Sequence, residues 1–123
     1  MHLVFVYGTL KKGYGNHRLL AQSMFVGKAI TEPNFTMLHL GGFPGIVQSG
    51  DTAIHGEVYR VSNATLTQLD RLEGHPTFYE RKPLMVTGMD GSPMDVQGYV
   101  LPLTWLDGRN VIPTGVWGSR ESS

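Results

Sequence analysis

The sequence contains no cysteine, and that absence removes disulfide frameworks, thiol nucleophiles and thiolate metal sites together. It also agrees with a reducing compartment, and the chain is read as cytoplasmic. Net charge is missing too: ten basic and ten acidic side chains cancel over 123 residues. No global field therefore draws the protein to nucleic acid or to an anionic membrane. Lys11-Lys12 beside Tyr14 is too small a basic patch to generate phosphate affinity. Long apolar runs are lacking as well. The opening Leu3-Val4-Phe5-Val6-Tyr7 is far shorter than a bilayer span and has neither a basic lead nor a cleavage site, so it reads as a buried strand. What remains is a small-molecule partner, with neither nucleic acid nor membrane involved.

Several chemical signatures are absent. The five histidines, His2, His17, His39, His55 and His75, form neither His-Glu-x-x-His nor a close pair with a carboxylate, so no metal is expected. Ser23, Ser49, Ser62 and Ser92 all lack the glycine-flanked elbow of a serine hydrolase. Gly8-Thr9-Leu10-Lys11-Lys12-Gly13 lacks the terminal Gly-Lys-Ser/Thr of a phosphate loop, which argues against a nucleotide.

The length suits one domain with one core, taken here as residues 1–118, with 119–123 expected to fray. Strands are predicted at Leu3–Tyr7, Met24–Thr31, Phe35–Leu40 and Ile54–Val61, with breakers at Glu32-Pro33-Asn34 and Gly41-Gly42-Phe43-Pro44-Gly45. Lys82–Thr87 and Met94–Leu101 flank Asp90-Gly91 as a hairpin. Asn16 is placed to cap a short helix carrying Leu19 and Leu20. The segment with Trp105, Pro113 and Trp117 is expected to wrap over the sheet without regular structure.

One amphipathic helix is predicted over Asn63–Glu73, opened by Ser62 or Asn63 and closed by Gly74. At roughly 100° per residue, Leu66, Leu69 and Leu72 define its apolar face, and Glu73 projects between the directions of Leu66 and Leu69. A carboxylate on that stripe, at the negative end of the helix dipole, acquires a raised pKa and becomes a proton shuttle near neutral pH. The structural alternative is a cap or an ion pair with Arg71, Arg81 or Lys82. The loop after the first strand divides similarly. Gly8 and Gly13 either only let the chain turn, or the loop presents successive N–H groups to a carboxylate or a developing oxyanion. Glu57 is a further carboxylate, read as hydrogen-bonded or exposed on a strand face rather than as a catalytic partner of Glu73.

Val4-Phe5-Val6-Tyr7-Gly8-Thr9-Leu10-Lys11, followed by Asn16-His17, closely resembles the amino-terminal signature of the gamma-glutamylcyclotransferase-like superfamily, including gamma-glutamylamine cyclotransferases and their AIG2-like and YtfP-like relatives. Gly56-Glu57-Val58-Tyr59 resembles the central strand of that family. Leu69-Asp70-Arg71-Leu72-Glu73 with Tyr79 and Arg81 resembles its catalytic helix and the strand that follows. The likeness covers most of the chain to about residue 88 and leaves the carboxy-terminal third unassigned.

The resemblance implies an α+β fold, a small mixed β-barrel flanked by short helices, with a pocket at the barrel mouth. It implies a gamma-glutamyl substrate bound by Tyr7, Gly8, Thr9 and Leu10, with Tyr79 and Arg81 beside them and Glu73 as general acid/base. The activity it implies is a cyclotransferase, formally a lyase, that releases 5-oxoproline from a gamma-glutamyl amine, amide or peptide without a cofactor. A binding or regulatory module of the same fold without turnover is the alternative. The leaving amine, the oligomeric state and the pathway are not encoded in any motif found.

Overall fold

The computed structural model describes residues 1–106 and 110–118, so the expected fraying of 119–123 lies outside the described residues. The chain builds seven strands: β1 His2–Val6, β2 Met24–Thr31, β3 Phe35–His39, β4 Pro44–Thr52, β5 His55–Val61, β6 Glu80–Gly88 and β7 Pro93–Val100. One α-helix, α1 Asn63–Glu73, and 3-10 turns at His17–Leu20 and Leu103–Trp105 complete the described elements. Five strands close into a barrel in the order β1-β5-β2-β6-β7, and β3 pairs with β4 in a separate two-stranded sheet. The barrel ladders are antiparallel except for the closure between β7 and β1, which is parallel at Val4 and Gln97. This is the α+β fold, a small mixed barrel flanked by short helices, that the resemblance implies.

The composition of β1 explains its central place. Its residues alternate between two cores, so neither face is wet. Val4 and Val6 pack with Tyr59, Val61, Leu66 and Leu69 under α1. Phe5 packs with Ala29, Val58, Leu84 and Val96, residues drawn from the other four barrel strands. Helix α1 follows its caps: the Ser62 side chain accepts from the Thr65 N–H, and Gly74 ends the helix in the left-handed conformation at φ 68° and ψ 31°. Leu66 and Leu69 are buried as the periodicity requires, whereas Leu72 is largely exposed, so the apolar face is narrower than three leucines suggested.

Two expectations are corrected. Strand β4 starts inside a stretch read as a breaker, and residues 46–52 were not read as a strand. Pro44 is tolerated because it opens the strand, and Gly45 lets the Leu101 side chain pack close against it, since a Cβ would sit 2.3 Å from Leu101 Cδ1. The polar run after Val47 hides the strand from any pattern based on periodicity. Asn16 does not cap the turn at His17–Leu20 with its side chain. Its amide instead donates to Thr9 Oγ1 at 2.8 Å and its N–H to the Thr9 carbonyl at 3.0 Å, stitching the loop after β1 to the start of the turn.

Close strand approach makes one glycine indispensable. A Cβ on Gly56 would lie 2.4 Å from the Val6 carbonyl oxygen and 2.7 Å from the Phe5 ring, whereas one on Gly98 would strike only the end of the Leu84 side chain at 2.6 Å. Overpacking of this kind costs about 1–3 kcal/mol, and most where backbone must yield. Urea denaturation should therefore show Gly56→Ala destabilised by about 3 kcal/mol or more and Gly98→Ala by less. Equal losses would show that the Leu84 side chain is as immovable as the Val6 backbone.

Candidate active site

The site is built where β1 runs out into its loop and α1 ends. A cavity of about 350 Å³ is lined by Tyr7, Gly8, Thr9 and Leu10 on one side and by Glu73 with Leu72 on another. Phe43, Pro44, Phe78, Tyr79 and Tyr99 supply further wall. Five of the six predicted substrate-binding residues, Tyr7, Gly8, Thr9, Leu10 and Tyr79, thus line one cavity with Glu73. Arg81 does not. Its guanidinium is engaged by Asp70 and by Gln97, whose Oε1 accepts from Nε at 2.8 Å.

Glu73 is half-buried. Burial pushes its carboxyl up from the ordinary carboxylate range to about 7, because the charged form loses water that nothing replaces. Among the described residues no hydrogen bond or ion pair reaches its carboxylate: of the cations considered as partners, Arg81 pairs with Asp70, Lys82 with Glu80, and Arg71 is exposed without an ion pair to Glu73. The loop opposite supplies complementary groups. The Lys11 N–H closes a turn onto the Gly8 carbonyl at 3.0 Å. The N–H groups of Gly8, Thr9 and Leu10 donate to no protein acceptor among the described residues. Three such donors beside an uncompensated carboxyl form a site for a molecule carrying both an anionic and a proton-bearing group. Gly8 also has no room for a side chain, because a Cβ would stand 2.8 Å from the Pro44 ring.

Tyrosine hydroxyls hold the walls. Tyr7 donates to the Tyr99 carbonyl at 2.8 Å and accepts from the Ile46 N–H at 3.3 Å. Tyr79 donates to the Pro44 carbonyl, and Tyr99 to Asp70 Oδ1 at 2.7 Å. Burial raises the hydroxyl pKa of all three, with the nearby Glu73 carboxylate adding to the effect. They are fixed neutral donors at any ordinary pH. Asp70 accepts from both Tyr99 and Arg81, which makes Arg81 a support one layer behind the cavity. Glu57 also stands apart, accepting from the Tyr59 hydroxyl and the Lys12 N–H, each at 3.0 Å.

Sequence reasoning did not single out Tyr99, Phe43 or Phe78 for the cavity. Tyr99 sits on β7 with no motif around it, and Phe43 was absorbed in the glycine-rich breaker. Asp70 had one usable signal: it precedes Glu73 by three residues, which sets the two about 60° apart around the helix.

Barrel and cavity together define a class: a small closed barrel with one desolvated carboxyl facing a loop of free backbone donors. The family described as gamma-glutamyl cyclotransferase, AIG2-like, matches residues 4–119. Gamma-glutamylcyclotransferase family protein YtfP of Escherichia coli K12 is 36% identical over 118 residues, covering 96% of this chain and 97% of the relative. The crystal structure of an AIG2-like protein from Mus musculus superposes with a TM-score of 0.83 at 27% identity, covering 97% of this chain and 89% of that one. YkqA from Bacillus subtilis superposes with a TM-score of 0.75 at 28% identity, covering 94% of this chain and 39% of that one. The chain belongs to the AIG2-like gamma-glutamyl cyclotransferase family and is a gamma-glutamylcyclotransferase-like protein.

Two outcomes follow from the geometry. A carboxyl whose pKa is raised on folding keeps its proton in the folded state while the unfolded chain has lost it. Its contribution to stability therefore falls as pH rises from about 4.5 to about 7. Glu73→Gln should be more stable than the parent at pH 8, by on the order of 1–3 kcal/mol, and the two should converge near pH 4.5; parallel denaturation midpoints across that range would place the carboxylate in water. Tyr7→Phe strands the Ile46 N–H and the Tyr99 carbonyl. It should cost about 1–3 kcal/mol in the urea midpoint, and a loss below 0.5 kcal/mol would mean that these bonds are not made.

Proposed function

We propose that this protein cyclises gamma-glutamyl compounds, releasing 5-oxoproline and a free amine, with Glu73 as the general acid/base. One observation carries the reading: a desolvated, unpaired carboxyl shares a cavity with three free N–H donors of the loop Gly8–Leu10. The substrate needs both. Its α-carboxylate is anionic, suited to the N–H groups, and its α-ammonium must lose a proton before it can attack.

In this reading the Glu73 carboxylate takes a proton from the α-ammonium. The freed amine attacks the side-chain carbonyl carbon five atoms round the ring, forming the lactam C–N bond. Negative charge moves to the carbonyl oxygen, within reach of hydrogen-bond donors at the loop or walls. Collapse breaks the exocyclic C–N bond as Glu73 returns the same proton to the departing nitrogen, and the second excess proton of the ring nitrogen then passes through Glu73 to the released amine, leaving a neutral lactam and an ammonium ion. No water is consumed and Glu73 ends as it began. Nucleophile and electrophile are tethered in one molecule, and orienting such a pair is worth about 7–11 kcal/mol, which fits a site with a single titrating group.

A carboxyl near 7 also sets the pH dependence. As a base Glu73 works ionised, so kcat/KM for 5-oxoproline release should rise with pH through a midpoint near 7 and level off above it. Glu73→Gln should lower turnover by at least about a hundredfold with an unchanged circular dichroism spectrum. An active, folded Gln variant would remove Glu73 from the reaction. Tight binding of 5-oxoproline without turnover of any gamma-glutamyl compound would favour a binding module instead.

A further inference from the structure

The cavity lining is of two chemical kinds. The polar groups are the loop N–H groups and Glu73. Phe43, Leu72 and Phe78 add an apolar part, and the Trp105 ring lies 5.5 Å from that of Phe78. Phe43 meets the Phe78 ring in an edge-on contact at 6.4 Å, and Phe78 meets Tyr79 in the same way at 5.0 Å. Phe43, Leu72 and Trp105 remain 38%, 41% and 40% exposed. A phenylalanine, a leucine and a tryptophan thus keep apolar surface in water beside the candidate active site.

Charge is the second observation. Glu73 is the sole Asp, Glu, Lys, Arg or His side chain lining the cavity among the described residues. Of the nearby cations, Arg81 pairs with Asp70 and Lys82 with Glu80, Arg71 is exposed outside the cavity lining, and His75 Nδ1 accepts from the Arg81 N–H at 2.9 Å. When the departing group is an amino acid or peptide, its first carboxylate or carbonyl is two bonds from the departing nitrogen. A carboxylate there meets apolar side chains and the Glu73 carboxylate with no cation in the lining, so partial desolvation and like-charge repulsion both disfavour it. A positively charged chain fares little better. The rings of the apolar part are phenylalanines, weaker cation hosts than tryptophan, and Trp105 is not in the lining.

We infer that the departing group is an uncharged, bulky apolar amine, aryl or branched alkyl, selected by Phe43, Leu72 and Phe78. The inference rests on the cyclotransferase reading. The apolar residues would bury the amine's hydrocarbon, and the loop N–H groups with Glu73 would hold the glutamyl part common to all substrates.

The test compares kcat/KM for 5-oxoproline release from four gamma-glutamyl amides. They are those of phenethylamine, of phenylalanine, which adds only a carboxylate, of 1,5-diaminopentane, which ends in a cation, and of methylamine. The phenethylamide is expected to exceed the phenylalanine and diaminopentane compounds by at least about tenfold, or roughly 1.4 kcal/mol. Phe43→Ala and Leu72→Ser alter exposed side chains. Each should lower the ratio of phenethylamide to methylamide turnover by about fivefold or more, a ratio that a general loss of folded protein would leave unchanged. Turnover with a flat or reversed ranking, or an unaltered ratio in both variants, overturns the assignment of the apolar residues alone. No 5-oxoproline from any of the four overturns the cyclotransferase reading itself.

Discussion

The hydroxyl of Tyr7 is the bond on which the site's architecture turns. It leaves the end of β1, donates to the carbonyl of Tyr99 on β7 and accepts from the N–H of Ile46 on β4. One oxygen thus joins the two strands that close the barrel in parallel to the separate two-stranded sheet. The Tyr79 hydroxyl makes a second tie to the same sheet through Pro44. In so dry a place both partners of each bond must be present, because an orphaned amide or carbonyl costs more than the bond itself contributes. The cavity is the space these ties hold open between the barrel mouth and β4.

Into that space the fold delivers a carboxyl that folding alone would not select. The end of α1 and its burial both disfavour charge on Glu73, and no cation offsets them among the described residues. The adjacent turn of the helix solves the opposite problem: Asp70 takes Arg81 and the Tyr99 hydroxyl at once. Two acids three residues apart thereby receive contrary surroundings, one saturated with donors and structural, the other bare and available for proton transfer.

Much of this was legible in the residues. The two-faced burial of β1, the caps of α1 and the inward lean of Glu73 follow from periodicity and from Ser62 and Gly74, because they depend on neighbours in sequence. The turn of the loop at Gly8 was equally visible. What stayed hidden depends on residues far apart along the chain. Strand β4 carries no alternating pattern, and Gly45 looks like a breaker until Leu101 is seen against it. Arg81 seemed to belong beside Tyr79, but its guanidinium is taken by Asp70 and Gln97, which come from elements that only folding brings near. Leu72 fitted the helix stripe on paper and turns out to face the cavity.

Pro44 shows how little is left to adjust when a molecule arrives. Its ring abuts Gly8 and its carbonyl receives the Tyr79 hydroxyl, so a residue with a locked φ sits between the loop and the aromatic wall. Rigidity of that kind is paid once, during folding, rather than at each encounter, and an incoming molecule then forfeits mainly its own freedom. Recognition here should resemble the filling of a mould more than the closing of a hand.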